Sequence, residues 1–380
     1  MSAPRRLRLG MVGGGTGAFI GDVHRIASRI DDRWELVAGA LSSNAERSAQ
    51  SATELGITSD RRYSDFAEMA TVEAAREDGI DAVSIVTPNH VHAGPVIAFL
   101  NVGINVICDK PLCTSTEEAD AIKDAVERSD AHFILTHNYT GYPLIRQARR
   151  MIAEGALGTI RIVQAEYAQD WLADTIEQTG QKQASWRTDP AMTGGGGAIG
   201  DIGTHAFNLL SFVTGLDTEA LSADLHSFGK GRQIDDNAHI LLKLENGARG
   251  MLWASQVAIG RENALRLRIY GDKAALEWDH ESSNRMTFTR LGEACQILTR
   301  GHGMFGETAS DWTRVPPGHP EGYLEGFATL YSDAADFITG KANDVPLPGI
   351  EAGLDGMWFI SACLESAKAD GRWVVKSSQL

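Results

Sequence analysis

The stretch "LRLGMVGGGTGAFIGDVHR", residues 7 to 25, decides how the chain is read. An apolar run, Leu7 to Val12, passes into glycine and then into the apolar spacing of an amphipathic helix. Glycine at a strand-to-helix junction is either a tight turn or a cradle for something negatively charged. Glycines let the backbone come close, and a helix N-terminus offers N–H groups at the positive end of its dipole. Gly13, Gly15 and Ala18 satisfy the G-x-G-x-x-G/A form of a dinucleotide loop. Gly21 serves equally as the third small position if the loop is longer by about three residues.

Further β-rich runs follow at 35–41, 81–86, 104–109 and 132–137. Helix-like stretches separate them near 22–30, 44–55, 64–77, 91–102 and 115–129. Strands that alternate with helices and are apolar on both faces indicate a doubly wound parallel sheet. After a helix near 142–154 the texture changes to longer alternating segments, with "ENGA" and "GDKA" as turns, which read as an antiparallel sheet with one face covered. Helices near 201–214, 321–340 and 350–369 complete it. The expected division is 1–140 and 141–380, with the last helix able to pack back on the first domain.

At 380 residues the chain exceeds the size of one growing core, and 43% hydrophobic residues suffice for two. No window approaches the roughly 20 uninterrupted apolar residues of a membrane span, and "MSAPRRLRLG" runs straight into the first strand, so a soluble cytoplasmic protein is expected. A net charge of -15 argues against nucleic acid or anionic membrane as partner. Cys108, Cys113, Cys295 and Cys363 show no paired spacing, so neither a metal site nor a disulfide framework is expected.

At the end of the second strand, Ser42 and Ser43 stand where an acid would select an unphosphorylated ribose, and Arg47 could pair with a 2'-phosphate. The cofactor is therefore read as NAD or NADP. Phe19 and Ile20, in the glycine loop, are placed along the dinucleotide. "VTPNHVH" (86–92) brings Thr87, Pro88, Asn89 and His92 to a strand end beside it. "CDKPL" (108–112) puts Asp109 and Lys110 at another. A lysine beside a cofactor cation, with few counter-ions, can have its pKa lowered enough to act as acid or base. In "TGGGGAIGDIGTHAFNLL" (193–210), Asp201 and His205 at i and i+4 share one helical face. Asn138, Tyr139, Trp186 and Arg187 supply an aromatic platform and hydrogen bonds suited to a polyhydroxylated ring. His90, His137 and His319 are read as structural.

Taken together, "GGGTGAFIG", "TPNHVH", "DKP" in place of Glu-Lys-Pro, and "GGGGAIGDIGTH" resemble the glucose-fructose oxidoreductase, inositol dehydrogenase and rhizopine-catabolism (Gfo/Idh/MocA) family. The resemblance extends through "WRTDPAMTGGGG" and "HPEGYLEGF". It implies an α/β protein with an N-terminal Rossmann domain and a C-terminal α/β domain with an open, largely antiparallel sheet, the latter often used in homodimers or homotetramers. It further implies hydride exchange between NAD(P) and a secondary hydroxyl or ketone of a sugar, sugar derivative or cyclic polyol. In that analogy Lys110 hydrogen-bonds the reacting oxygen, His205 exchanges its proton, and Asp201 holds hydroxyl and imidazole. The alternatives are an NAD-dependent glycosidase of the same family and a non-catalytic dinucleotide-binding regulator.

Overall fold

The computed structural model describes residues 5–180, 184, 187–302 and 312–377. Its first stretch alternates β1 (Leu7–Gly13), α1 (Phe19–Ile30), β2 (Trp34–Ala40), α2 (Ala45–Glu54), α3 (Phe66–Ala75), β3 (Ala82–Val86), α4 (Ala93–Asn101), β4 (Asn105–Cys108), α5 (Thr116–Arg128) and β5 (Phe133–Leu135). The second comprises α6 (Pro143–Ala153), β6 (Ile160–Ala168), α7 (Thr204–Thr214), β7 (Thr218–His226), β8 (Asn237–Leu244), β9 (Arg249–Ser255), β10 (Ala264–Gly271), β11 (Ala274–Asp279), β12 (Arg285–Arg290) and β13 (Gln296–Thr299). The chain closes with α8 (Tyr323–Ile338), α9 (Ile350–Lys368) and β14 (Val374–Val375).

Two compact units result, Met1–Asn138 with Tyr323–Leu354, and Tyr139–Gly322 with Asp355–Leu380. Residues 323–354, which the sequence reading assigned to the second domain, thus belong with the first unit. The reason lies in the core: Phe327, Ala328, Tyr331 and Ala334 of α8 are buried in one cluster with Leu9, Val23, Trp34 and Ile107. The Trp34 indole also donates to the Tyr331 carbonyl at 2.8 Å.

In the first unit all strand pairs are parallel, in the order β2-β1-β3-β4-β5. The chain leaves β1 toward β2 and returns to β3 on the other side, so the carboxyl ends of β1 and β3 flank the point where strand order reverses. Ligands of open parallel sheets bind there. The second unit holds a nine-stranded sheet, β13-β12-β11-β10-β6-β9-β8-β7-β14, antiparallel except for β6 against β9. The "ENGA" turn closes β8 onto β9 through Asn246 and Gly247, both left-handed with φ of 58° and 78°. Short β13 and β14 were not anticipated; two to four residues are too few for an alternation to register.

Candidate active site

In the first unit, Gly13 ends β1 and Gly14 follows it, with φ of 78° and 67°. A Cβ at Gly13 would lie 2.8 Å from Thr87 Cγ2, and one at Gly15 2.9 Å from the Leu41 carbonyl oxygen and Ser51 Oγ. The turn is tied down by Gly15 N–H donating to Leu41 O (3.2 Å) and Thr16 N–H to Ser51 Oγ (3.1 Å). The buried Arg25 guanidinium donates to the Gly14 carbonyl and to Asp22. A Cβ at Gly21 would stand 2.5 Å from the Gly14 Cα, so Gly21 is where α1 packs onto the strand turn. Ala18 is the N-cap of α1, and no side chain caps that helix. The register left open by the sequence therefore closes on Gly21, and the third small position is not Ala18.

These features fit a dinucleotide. The glycines bring backbone within reach of a pyrophosphate, and the uncapped N-terminus of α1 directs N–H groups and a positive dipole end toward it. Thr87 Oγ1, buried at the neighbouring strand end, has no hydrogen-bond partner among the described residues, as expected of a group awaiting a ligand. Phe19 is 65% exposed, and Ile20 is partly buried, packed against Met11, Leu41 and Val86. Ser42 Oγ accepts from Asn44 N–H, which leaves Ser43 and Arg47 exposed at the start of α2.

Pro88 leads into a short turn, Asn89–Val91. His92 behind it is fully buried, with Nδ1 2.8 Å from the Pro111 carbonyl and Nε2 3.0 Å from that of Thr87. It staples the loop after β3 to the loop after β4 instead of contacting a cofactor, which corrects the sequence expectation. Burial lowers its pKa, and the neutral ring has one N–H to share between two carbonyls. Asp109 accepts from Thr136 Oγ1 at 2.9 Å. Lys110 follows it, half-buried, at a cis peptide with Pro111. Burial, aided by the Lys110 charge, takes His137 down to about 3, so that ring is neutral. Asn138 is 1% exposed, with its Nδ2 unpartnered among the described residues. His90 is exposed, and His319 Nδ1 stands 3.3 Å from the Pro316 carbonyl, which accepts from it.

In the second unit Asp201 lies in a π-helical turn, Ile199–Gly203, that feeds α7; an α-helix beginning at Asp201 was expected. Gln256 Nε2 donates to Asp201 Oδ2 at 2.9 Å, and Arg187 Nε stands 3.7 Å from the same oxygen. Arg187 is thus a charge partner of Asp201. Trp186 lies outside the described residues. His205, 9% exposed, meets the Tyr139 ring edge-on at 5.0 Å and the Tyr167 ring at 6.2 Å.

Tyr139 was expected to belong to an aromatic platform with hydrogen-bonding groups for a polyhydroxylated ring. It is 3% exposed, and a chain of bonds consumes its hydroxyl: Tyr139 O–H to Tyr167 O–H (2.5 Å), then Tyr167 O–H to Asn263 Oδ1 (2.8 Å). Gln169 Nε2 donates to the same oxygen at 2.7 Å. Tyr139 is therefore a wall that orients His205. The start of the π turn is held by Asp235, whose carboxylate burial raises to about 6. Tyr167, Asp235, Gln256 and Asn263 were all missed. The only trace of Gln256 in the sequence is a polar residue ending the apolar run "GMLWASQ".

An imidazole braced by two tyrosine rings and a carboxylate held by an amide and a guanidinium are the parts of a proton-transfer site. Among the described residues no three His, Cys, Asp or Glu could hold a metal, and no helix is long and apolar enough to cross a membrane.

Residues 7–137 match the oxidoreductase family with an NAD-binding Rossmann fold, and residues 145–277 match the GFO/IDH/MocA C-terminal domain. A crystal structure of an oxidoreductase from Sinorhizobium meliloti is 51% identical, covers 98% of this chain and 100% of its own, and superposes with a TM-score of 0.89. The inositol dehydrogenase homolog of Azotobacter vinelandii, solved with NAD+, is 35% identical over 99% of this chain and 98% of its own, with a TM-score of 0.92. Levoglucosan dehydrogenase from Pseudarthrobacter phenanthrenivorans is 28% identical over 74% of this chain and 76% of its own. The first unit is an NAD-binding Rossmann domain, and the chain belongs to the GFO/IDH/MocA oxidoreductase family.

Proposed function

We propose that this protein is an NAD(P)-dependent dehydrogenase or reductase acting on a secondary hydroxyl or ketone of a sugar, sugar derivative or inositol-like polyol. The observation that carries the reading is Asp201, held by Gln256 and Arg187, four residues before an imidazole braced by Tyr139. Relatives named for inositol and levoglucosan support the substrate class. When bound, the nicotinamide accepts or donates a hydride at its C4 carbon. In this reading Lys110 hydrogen-bonds the reacting oxygen. His205 takes the hydroxyl proton in oxidation and returns it in reduction, and Asp201 holds both the hydroxyl and the imidazole in line. Asn138 and Arg187 hold further hydroxyls.

The site of action is the cytoplasm, and the working form is a homodimer or homotetramer. The sheet of the second unit supports the oligomer, because Ile162 pairs with Tyr270, and Leu241 with Met251, on one face where all four are 38–51% exposed. A monomer in sedimentation equilibrium at micromolar concentration refutes it.

The test of function is formation of reduced nicotinamide with a panel of inositols, aldoses, glycosides and levoglucosan, with NAD and NADP in parallel. Lys110→Ala should lower turnover by about two to four decades, the span of a lost proton-transfer partner. Activity within a factor of a few of wild type removes Lys110 from its role, and a released sugar with no net reduced cofactor replaces the dehydrogenase by the glycosidase.

A further inference from the structure

The helical start that carries Asp201 is wound in an uncommon register, and groups outside the reacting centre hold it there. In the turn Ile199–Gly203, the N–H of Thr204 donates to the Ile199 carbonyl five residues back. In an α-helix that N–H would reach Gly200. The Gly200 carbonyl is taken instead by the Thr204 hydroxyl at 3.0 Å. Such single π turns place one extra residue in a helix and occur frequently at functional sites.

The N-terminal side is clamped by Asp235. Its carboxylate accepts from Gly197 N–H (2.6 Å) and Ile199 N–H (2.9 Å), and its main-chain oxygen accepts from Ala198 N–H (2.9 Å). Three consecutive N–H groups, of the kind a helix start leaves without intrahelical partners, all end on one residue. Gly197 is required at this approach, since a Cβ would lie 1.9 Å from the Asp235 carbonyl oxygen. The frame reaches the reactive carboxylate as well. Gln256 N–H donates to Asp236 O at 2.8 Å, and the Gln256 amide donates to Asp201 Oδ2.

We propose that Asp235 and the Thr204 hydroxyl are positioning residues that keep this turn in π register and thereby set the phase of Asp201 against His205. The inference rests on the roles proposed above for Asp201 and His205. Relaxation to α register would displace Asp201 relative to His205 by about 100° of rotation and about 1.5 Å of rise. The Thr204 hydroxyl opposes it by satisfying, in the π register, the Gly200 carbonyl that has lost the Thr204 N–H to Ile199. Asp235 prevents it by fixing where the turn begins.

The test compares Asp235→Asn, Thr204→Val and Thr204→Ser in the full-length protein by crystallography, by nitrogen-15 NMR of the His205 imidazole, and by kinetics. Asp235→Asn turns one acceptor oxygen into an NH2 facing an N–H, and Thr204→Val removes the hydroxyl at nearly constant volume. Both should show the residue 204 N–H bonded to the Gly200 carbonyl and a moved His205 signal. In both, kcat should fall at least tenfold with the dinucleotide Kd unchanged. Thr204→Ser, which keeps the hydroxyl, should retain the π turn and the wild-type His205 signal. A π turn that persists in Thr204→Val or Asp235→Asn overturns the proposal, as does a Thr204→Ser protein that behaves like Thr204→Val. If Asp235→Asn yields no folded protein, the Thr204 pair decides. The crystal and NMR results hold even if the wild type reduces no nicotinamide with any substrate, so failure of the proposed function is distinguishable from failure of this inference.

Discussion

Gly21→Ala is the sharpest probe of the dinucleotide cradle. The added Cβ would meet the Gly14 Cα and carbonyl oxygen, both at 2.5 Å, where ordinary contact begins at 3.4 Å. Both obstacles are backbone, so no rotamer relieves them and α1 must retreat by roughly 1 Å. Overpacking of this kind costs about 1–3 kcal/mol. At about 2–4 °C per kcal/mol for a unit of this size, Tm should fall by about 2–12 °C. The same retreat draws the N–H groups of α1 away from a bound pyrophosphate. Loss of one charge-assisted hydrogen bond, about 1.5–3 kcal/mol, weakens dinucleotide binding by about tenfold to a hundredfold. Thermal unfolding and calorimetric NAD titration read the two effects. Ala18→Gly is the control, because glycine at an N-cap is no worse than alanine. A Gly21→Ala protein with wild-type Tm and Kd, or an Ala18→Gly protein that loses binding, refutes the packing argument.

Three further outcomes follow from the geometry. Gln256→Leu removes a buried amide, 2% exposed, from the Asp201 carboxylate; a hydrogen bond to a charged group carries about 1.5–3 kcal/mol, so kcat/KM should drop about tenfold to a hundredfold, and an unchanged value dismisses Gln256 as a support. His24 is held at about 4 and His137 at about 3, chiefly by burial, so both are neutral in the fold while the unfolded chain titrates near 6.5. Their contribution to stability is complete above about pH 6.5 and is lost by about 1.4 kcal/mol per pH unit for each histidine as pH falls toward 4. Urea titrations at several pH values should show a shallower fall in His24→Gln, and an equal slope refutes the assignment. Lys110→Ala should bind NAD as wild type does while failing to turn over; calorimetry showing lost binding would make Lys110 a cofactor ligand alone.

The parallel sheet was legible because its signals are local. Each of β1 to β5 is a short apolar run next to a helical period, and burial on both faces removes the ambiguity of alternation. The glycine loop was legible for a similar reason: φ near 78° at Gly13 is a property of one residue and its neighbours. The i, i+4 spacing of Asp201 and His205 was likewise visible, although the π turn beneath it was not. That register depends on a carboxylate more than thirty positions away in sequence, and no local pattern marks Asp235 as its partner.

By itself the sequence determined the order of elements, the class of each sheet, the dinucleotide loop and the residues with acid-base chemistry. Tertiary structure decided which of those residues are available for chemistry. His92 and Tyr139 read as ligand contacts until burial gave their polar atoms to Pro111, Thr87 and Tyr167. It also decided that Gly21 and not Ala18 closes the loop, and that α8 completes the first unit. The physical reason is the same in each case. Propensity and periodicity act over a few residues, whereas desolvation and steric contact are set by whatever distant chain the fold brings alongside.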